Sequence, residues 1–213
     1  MAHEAGGFSA WLRAMRSALA GGPAMQVACG DCVGCCTSSY VIKVRPHEHD
    51  TLAHIAAAHL RPGEADGTRY LMANARGHCP MFSGSDRHDA GCAIYAHRPE
   101  TCRTYDCRIF TASGMPAGEG KTMINERVAS WRFEYEDAAA RQEHRAVTAA
   151  ASFLRQHVVR FPNGQVPSRA SDIAVLAVKC YTVFMNGTPD AAATASGIVA
   201  ACREFDAGMP RSA

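Results

Sequence analysis

The sequence predicts an α+β chain, mostly helical: a small cysteine-rich region with a short β-hairpin, followed by a C-terminal helical bundle. Three observations lead there. Ten cysteines occur in 213 residues, and eight of them lie between positions 29 and 107. The same region alternates short β-rich runs with Gly- and Pro-marked turns, which suits small strands and not long helices. Beyond residue 121 apolar residues recur at spacings of three and four, the period of helices burying one face.

The organisation expected is a helical N-terminal extension over 1–28, a cysteine-cluster domain over 29–110 and a helical region over 121–213 packing on it. Phe8, Trp11, Leu12, Met15 and Leu19 give an amphipathic helix over 8–20, ended by Gly21-Gly22-Pro23. Cys29-Gly-Asp-Cys32-Val-Gly-Cys35-Cys36 follows, with Gly30 and Gly34 letting the backbone turn tightly between thiols. Tyr40 to Val44 reads as a strand. Pro46 then suits a helix start, with Leu52, Ile55 and Leu60 as its stripe to Arg61, and a weaker helical piece is expected around Tyr70 to Ala75. Gly77 to Phe82 and Gly91 to Tyr95, joined by a polar tip, form the hairpin that brings Cys79 near Cys92.

Pro99 and Glu100 open a short helix or turn carrying Cys102 and Cys107, and 111–120 is a loop. Helices are expected from about 122 to 131 and from about 134 to 159. The second has Val147, Ala151, Leu154 and Val158 as its buried stripe. Ser171 or Asp172 caps a central helix running to Met185. Pro189-Asp190 opens the last helix, with Ile198, Val199, Cys202 and Phe205 on one side. Cys180 and Cys202 fall on these apolar faces and read as core residues, because a free cysteine packs as a small hydrophobe.

Composition excludes several classes of function. The chain is 47% hydrophobic and 20% charged with a formal net charge of +2, too balanced for a nucleic-acid surface. No run reaches the ~20 apolar residues of a membrane span. Met1 to Pro23 is interrupted by Glu4, Arg13 and Arg16 and does not read as a signal peptide. A cytoplasmic location follows as the expectation, and in that reducing compartment a cysteine array binds metal more readily than it forms disulfides. Dinucleotide, P-loop, nucleophile-elbow and zincin motifs are absent from the sequence.

The candidate metal ligands are therefore Cys29, Cys32, Cys35, Cys36, Cys79, Cys92, Cys102 and Cys107. Thiolates are soft ligands that suit both zinc and iron–sulfur clusters. Cys29, Cys32 and Cys35 make the C-x2-C-x2-C run of ferredoxin-like sites, and Cys79-Pro80 echoes the remote residue. Neighbouring residues of an extended stretch point to opposite sides, so Cys35 and Cys36 serve different partners. Arg98, Arg103 and Arg108 flank Cys102 and Cys107 and are positioned to offset thiolate charge. His78 and His97 are substitute ligand candidates. His47, His49, His54 and His59 make no His–His pair at the i, i+4 spacing of a helical metal site and read as solvated or packing side chains.

Cys29-x2-Cys32-x2-Cys35-Cys36, then Cys79-Pro80, then Cys92-x-Ile94-Tyr95-x2-Arg98-Pro99-x2-Cys102-Arg103-x3-Cys107, resembles the CxxCxxCC cysteine-cluster family, also called YkgJ-type or Fe–S-cluster-containing proteins. The resemblance spans roughly residues 29–108. It implies a bacterial, cytoplasmic metalloprotein with the clustered cysteines as ligands. It also implies kinship with flagellin lysine N-methylases, which pair a similar cluster with S-adenosylmethionine. This chain is shorter and has no separate cofactor motif, so that activity is not transferred. The function expected is binding of an iron–sulfur cluster, [4Fe–4S] in type, with a redox or cluster-assisted transfer role. The alternatives are a structural zinc module that meets a protein partner through the helical region, and metal storage or delivery.

Overall fold

A computed structural model describes residues 2–23, 25, 27, 32–63, 66–84, 91–161, 166–187 and 190–208. Helix accounts for 52% and strand for 12%, so the chain is α+β and mostly helical as the sequence predicts. It divides into two compact units. One takes Met1–Pro23, Cys107–Gly118 and Val128–Ala213, and the other takes Ala24–Asp106 and Glu119–Arg127.

The first unit opens with strand β1 (His3–Gly7) and helix α1 (Phe8–Leu19). The stripe read from the sequence is the buried face of α1: Phe8, Trp11, Leu12 and Met15. β1 was not expected. It is too short to show a period of its own, and it exists because it pairs in parallel with a strand at Trp131–Glu134. That partner also shortens the helix expected from 134. The helix begins at Ala138, where the Asp137 carboxylate accepts a hydrogen bond from the Ala140 N–H at 2.8 Å.

This helix runs to Gln156 and buries Ala140, Val147, Ala151 and Leu154. Val158 does not extend the stripe. It lies on a 3-10 turn past the helix end and is 46% exposed. The loop expected from 111 is helical for three more residues, because Arg108–Ser113 forms a helix that buries Ile109, Phe110 and Ala112. Gly114 ends it at φ +65°, a conformation open to glycine and strained for other residues. The central helix, Ala170–Cys180, starts behind Arg169 with no side-chain cap, and it gives way to a 3-10 turn at Tyr181–Phe184 before reaching Met185. Arg16 donates to the carbonyls of Val178 and Lys179 at 2.7 and 2.9 Å, satisfying acceptors left open at that helix end. The last helix, Ala191–Ala207, is capped by Asp190, whose carboxylate accepts from the N–H groups of Ala192 and Ala193. No helix among the described residues is long and apolar enough to cross a membrane.

In the second unit a three-stranded antiparallel sheet joins Ile42–Val44, Arg69–Leu71 and Leu60–Pro62, with Arg69–Leu71 in the middle. Two expectations fail here. The helix expected from Pro46 to Arg61 covers only His49–Ala53, and the weak helix around Tyr70 is the central strand. Pairing decides both. Leu60 and Ile42 flank Leu71 on opposite sides, and a three-stranded ladder outweighs local propensity over three-residue segments. The expected hairpin is present as Phe82–Ser83 against Gly91–Cys92, with Phe82 opposite Cys92. The core of this unit is Ile42, Val44, Ile55, Leu71, Cys79 and Ile94, and Cys36, Cys92 and Cys102 pack against it.

Candidate metal centre

The thiol segments of the second unit are drawn together by main-chain bonds. Residues 34–39 form a tight turn in which the N–H groups of Cys36 and Thr37 both donate to the Val33 carbonyl. The Cys79 N–H then donates to the Cys36 carbonyl at 2.7 Å, fastening the turn to the hairpin segment. Gly34 matters for close approach. A Cβ there would lie 2.9 Å from Ile124 Cγ1 and 3.2 Å from the Ile124 nitrogen. Past the hairpin, the short helix Glu100–Thr104 carries Cys102. It is held by Thr101, whose hydroxyl donates to the Lys43 carbonyl at 2.7 Å, and by the buried Glu48 carboxylate, which accepts from the Glu100 N–H.

Cys36, Cys79, Cys92 and Cys102 thus share one apolar surface, and their electrostatics record the proximity. Burial pushes the Cys102 thiol up to about 12, and the potential thiolates of Cys79, Cys36 and Cys92 push in the same direction. Cys79 is raised for the same leading reason, with Cys92 adding to the effect and a hydrogen bond from the Met81 N–H opposing it. Several thiolates cannot be held on such a surface without a cation to balance them.

One cation of the protein is already in place. Arg98 opposes the rise of Cys102, and its guanidinium carbon stands 3.8 Å from the Tyr95 ring centroid. Its Nε is buried with no hydrogen-bond partner. A buried N–H donor without an acceptor, beside thiols that become acceptors on ionisation, fits a site completed by metal binding. The other two arginines are engaged elsewhere: the charge of Arg103 acts on Asp50, and Arg108 donates to the Ala5 carbonyl at 2.9 Å in the first unit.

The remaining candidates are placed as follows. Cys29 lies outside the described residues. Cys32 and Cys35 are half-buried in the second unit. Cys107 belongs to the first unit, where the Trp131 indole N–H donates to its sulphur at 3.2 Å. His78 meets the edge of Phe82 at 5.3 Å, while His97 donates to Asp50. Cys180 is fully buried, as a core residue should be, and Cys202 is half-buried. Among the described residues the cysteines are free thiols. The group of three ligating side chains that closes to within 4.8 Å among the described residues is not a set of thiols but Asp50, His54 and His97. Sequence reading missed this group by seeking histidine pairs alone, although Asp50 and His54 stand at the i, i+4 spacing.

Four thiols on one apolar surface, beside an arginine whose Nε is buried, are donors of the kind that both zinc and iron take. Residues 28–129 match the model of the CxxCxxCC family, described as a putative zinc- or iron-chelating domain. No curated protein and no solved structure matches the chain.

Proposed function

We propose that the chain is an iron–sulfur protein whose cluster, [4Fe–4S] in type, is held by Cys36, Cys79, Cys92 and Cys102. The observation that carries this reading is the spacing of the thiols. They share one surface, yet among the described residues no three of their sulphurs lie within 4.8 Å of one another. A single tetrahedral zinc with Zn–S bonds of about 2.3 Å would hold its four sulphurs ~3.8 Å apart. A cluster of several irons and sulfides spans a wider set of ligands.

The protein's own groups have separable tasks. The core residues Ile42, Ile55, Leu71 and Ile94 keep water from the sulphurs. Arg98 offsets their negative charge and offers its Nε–H to a sulphur. When bound, the cluster would supply one-electron redox chemistry at a potential set by this burial and charge. Such chemistry belongs in a reducing compartment, the cytoplasm, where thiols persist.

Anaerobic purification, the visible spectrum, and iron, zinc and acid-labile sulfide per chain test the reading. A brown protein with sulfide is expected. Cys36→Ser, Cys79→Ser, Cys92→Ser and Cys102→Ser should each bleach it, while Cys35→Ser should not. A colourless protein with stoichiometric zinc and no sulfide would establish the structural zinc module instead. Bleaching by Cys35→Ser and not by Cys36→Ser would overturn the ligand set.

A further inference from the structure

We propose that Asp50, His54 and His97 form a second metal site, separate from the thiols, that takes one borderline divalent transition-metal ion of the zinc class through two imidazoles and a carboxylate. The three side chains come from two segments of the same unit. Asp50 and His54 stand one turn apart on the helix His49–Ala53 and its C-terminal cap, and His97 ends the 3-10 turn Tyr95–His97. Both segments are anchored. Thr51 and Ile55 are buried beside the first, and Ile94 is buried at the entry to the second. The backbone therefore holds the three groups together while the groups themselves face solvent.

The three ligand atoms lie close enough for one ion to gather them. One ligand atom from each residue lies within 4.8 Å of the other two. The His97 Nδ1 is 2.6 Å from Asp50 Oδ2, and the His54 Nδ1 is 3.8 Å from Asp50 Oδ1. The two imidazoles lie face to face, with centroids 3.7 Å apart and planes 7° from parallel. An ion lies in the plane of each imidazole that it bonds, so one ring has to turn about its χ angles to bring its nitrogen onto a shared ion. Asp50 is already the anionic member. Its carboxyl is held below the usual range, chiefly by the hydrogen bond from His97.

A bound cation would take the place of two protons, the one that His97 Nδ1 donates to the Asp50 carboxylate and the one that His54 Nδ1 donates to the Asp50 main-chain carbonyl at 2.8 Å. Each ring would then carry its N–H on Nε2, where water accepts it. Zinc bonds to nitrogen and oxygen are about 2.0–2.2 Å long and set tetrahedral donors ~3.4 Å apart, so the His97–Asp50 pair at 2.6 Å has to open and the His54–Asp50 pair at 3.8 Å has to close, each by less than about an ångström. Exposed side chains do this by χ rotation without moving the core. Three protein ligands at the surface leave further positions to water, unlike a closed structural site. Two imidazoles and a carboxylate are harder donors than thiolate, so this site and the sulphur set prefer different ions.

The test uses full-length protein whose thiol centre is already loaded, so that added metal reports on the new site. Co2+ is titrated in and followed by calorimetry and by its visible d–d bands. One further equivalent is expected, with the weak absorption of nitrogen and oxygen ligation and no new sulphur-to-cobalt charge-transfer band. His97→Ala and Asp50→Asn should each weaken it at least tenfold, and His54→Ala with His97→Ala should abolish it, while the metal content of the thiol centre stays unchanged in every variant. Zn2+ should displace the Co2+. If His97→Ala lowers the thiol-centre metal, Asp50→Asn and His54→Ala carry the test, since both residues are surface side chains of one short helix. No further equivalent, or undiminished binding in the double variant, would overturn the site. Because it counts metal added beyond the loaded thiol centre, the result stands whether that centre proves to be iron–sulfur or zinc.

Discussion

Cys102 should be far less reactive than an ordinary exposed thiol when the metal is removed. Its thiol is pushed from an ordinary 9.0 up to about 12, by burial first and then by the neighbouring sulphurs. At pH 8.5 its thiolate fraction is therefore ~1,000-fold below that of an ordinary thiol, equivalent to about 4 kcal/mol that a bound metal must recover. The assay is alkylation of anaerobic metal-free protein by iodoacetamide between pH 7.5 and 10.5, resolved by peptide mass spectrometry, with glutathione as the exposed standard. Labelling of Cys102 should climb tenfold per pH unit with no plateau in that range, and Arg98→Gln should slow it further by removing the opposing charge. A plateau below pH 10, or a rate within tenfold of glutathione at pH 8.5, would refute the argument. The same shift sets the sign of a stability change. Between about pH 9 and 12 the unfolded chain has released this proton and the folded one retains it, so metal-free protein loses stability as pH rises through that window.

Gly34→Ala places a Cβ 2.9 Å from Ile124 Cγ1, with the Ile124 backbone behind it. It should cost roughly 1–3 kcal/mol and lower both the urea midpoint and the metal content, and unchanged values would show that the turn does not depend on this approach. Asp137→Ala removes the cap on the Ala140 N–H and should cost about 1 kcal/mol, seen as a thermal midpoint lower by about 2–4 °C, whereas Asp137→Asn, whose side-chain oxygen can still accept that N–H, should keep most of the stability. Among the late cysteines, Cys202 should be alkylated before Cys180. A hydrogen bond from the Cys180 thiol lowers Cys202, while that bond and burial raise Cys180. Cys180→Ala should then slow the labelling of Cys202 several-fold, and no change would remove the hydrogen bond as the cause.

The parts of the fold that were legible share one property: their cause is local. The stripe Phe8, Trp11, Leu12, Met15 repeats at helical period within eight residues, and it is the buried face of α1. Asp190 satisfies N–H groups two and three residues on, so the last helix could be placed from its cap. The failures are segments whose partner is remote. Leu60–Pro62 and Arg69–Leu71 are strands because they pair with each other and with Ile42–Val44, and three residues carry no period that could announce it. The β1 strand lies more than 120 residues from its partner at Trp131–Glu134, and the same pairing shortens the helix that follows.

The site divides along the same line. The sequence by itself determined the chemistry: the density and order of thiols, their softness as ligands, and the Arg98 beside them. It could not partition the adjacent pair Cys35 and Cys36, since the direction of a side chain depends on where the turn closes. The tertiary structure put Cys36 with Cys79, Cys92 and Cys102 through the bond from the Cys79 N–H to the Cys36 carbonyl and the core beneath them. It also brought His97 onto Asp50 and His54, a convergence of segments more than forty residues apart. Donor identity is a property of residues, and it can be read along the chain. A coordination sphere is a property of distances, and those exist only once the chain has paid the entropy of closing its loops.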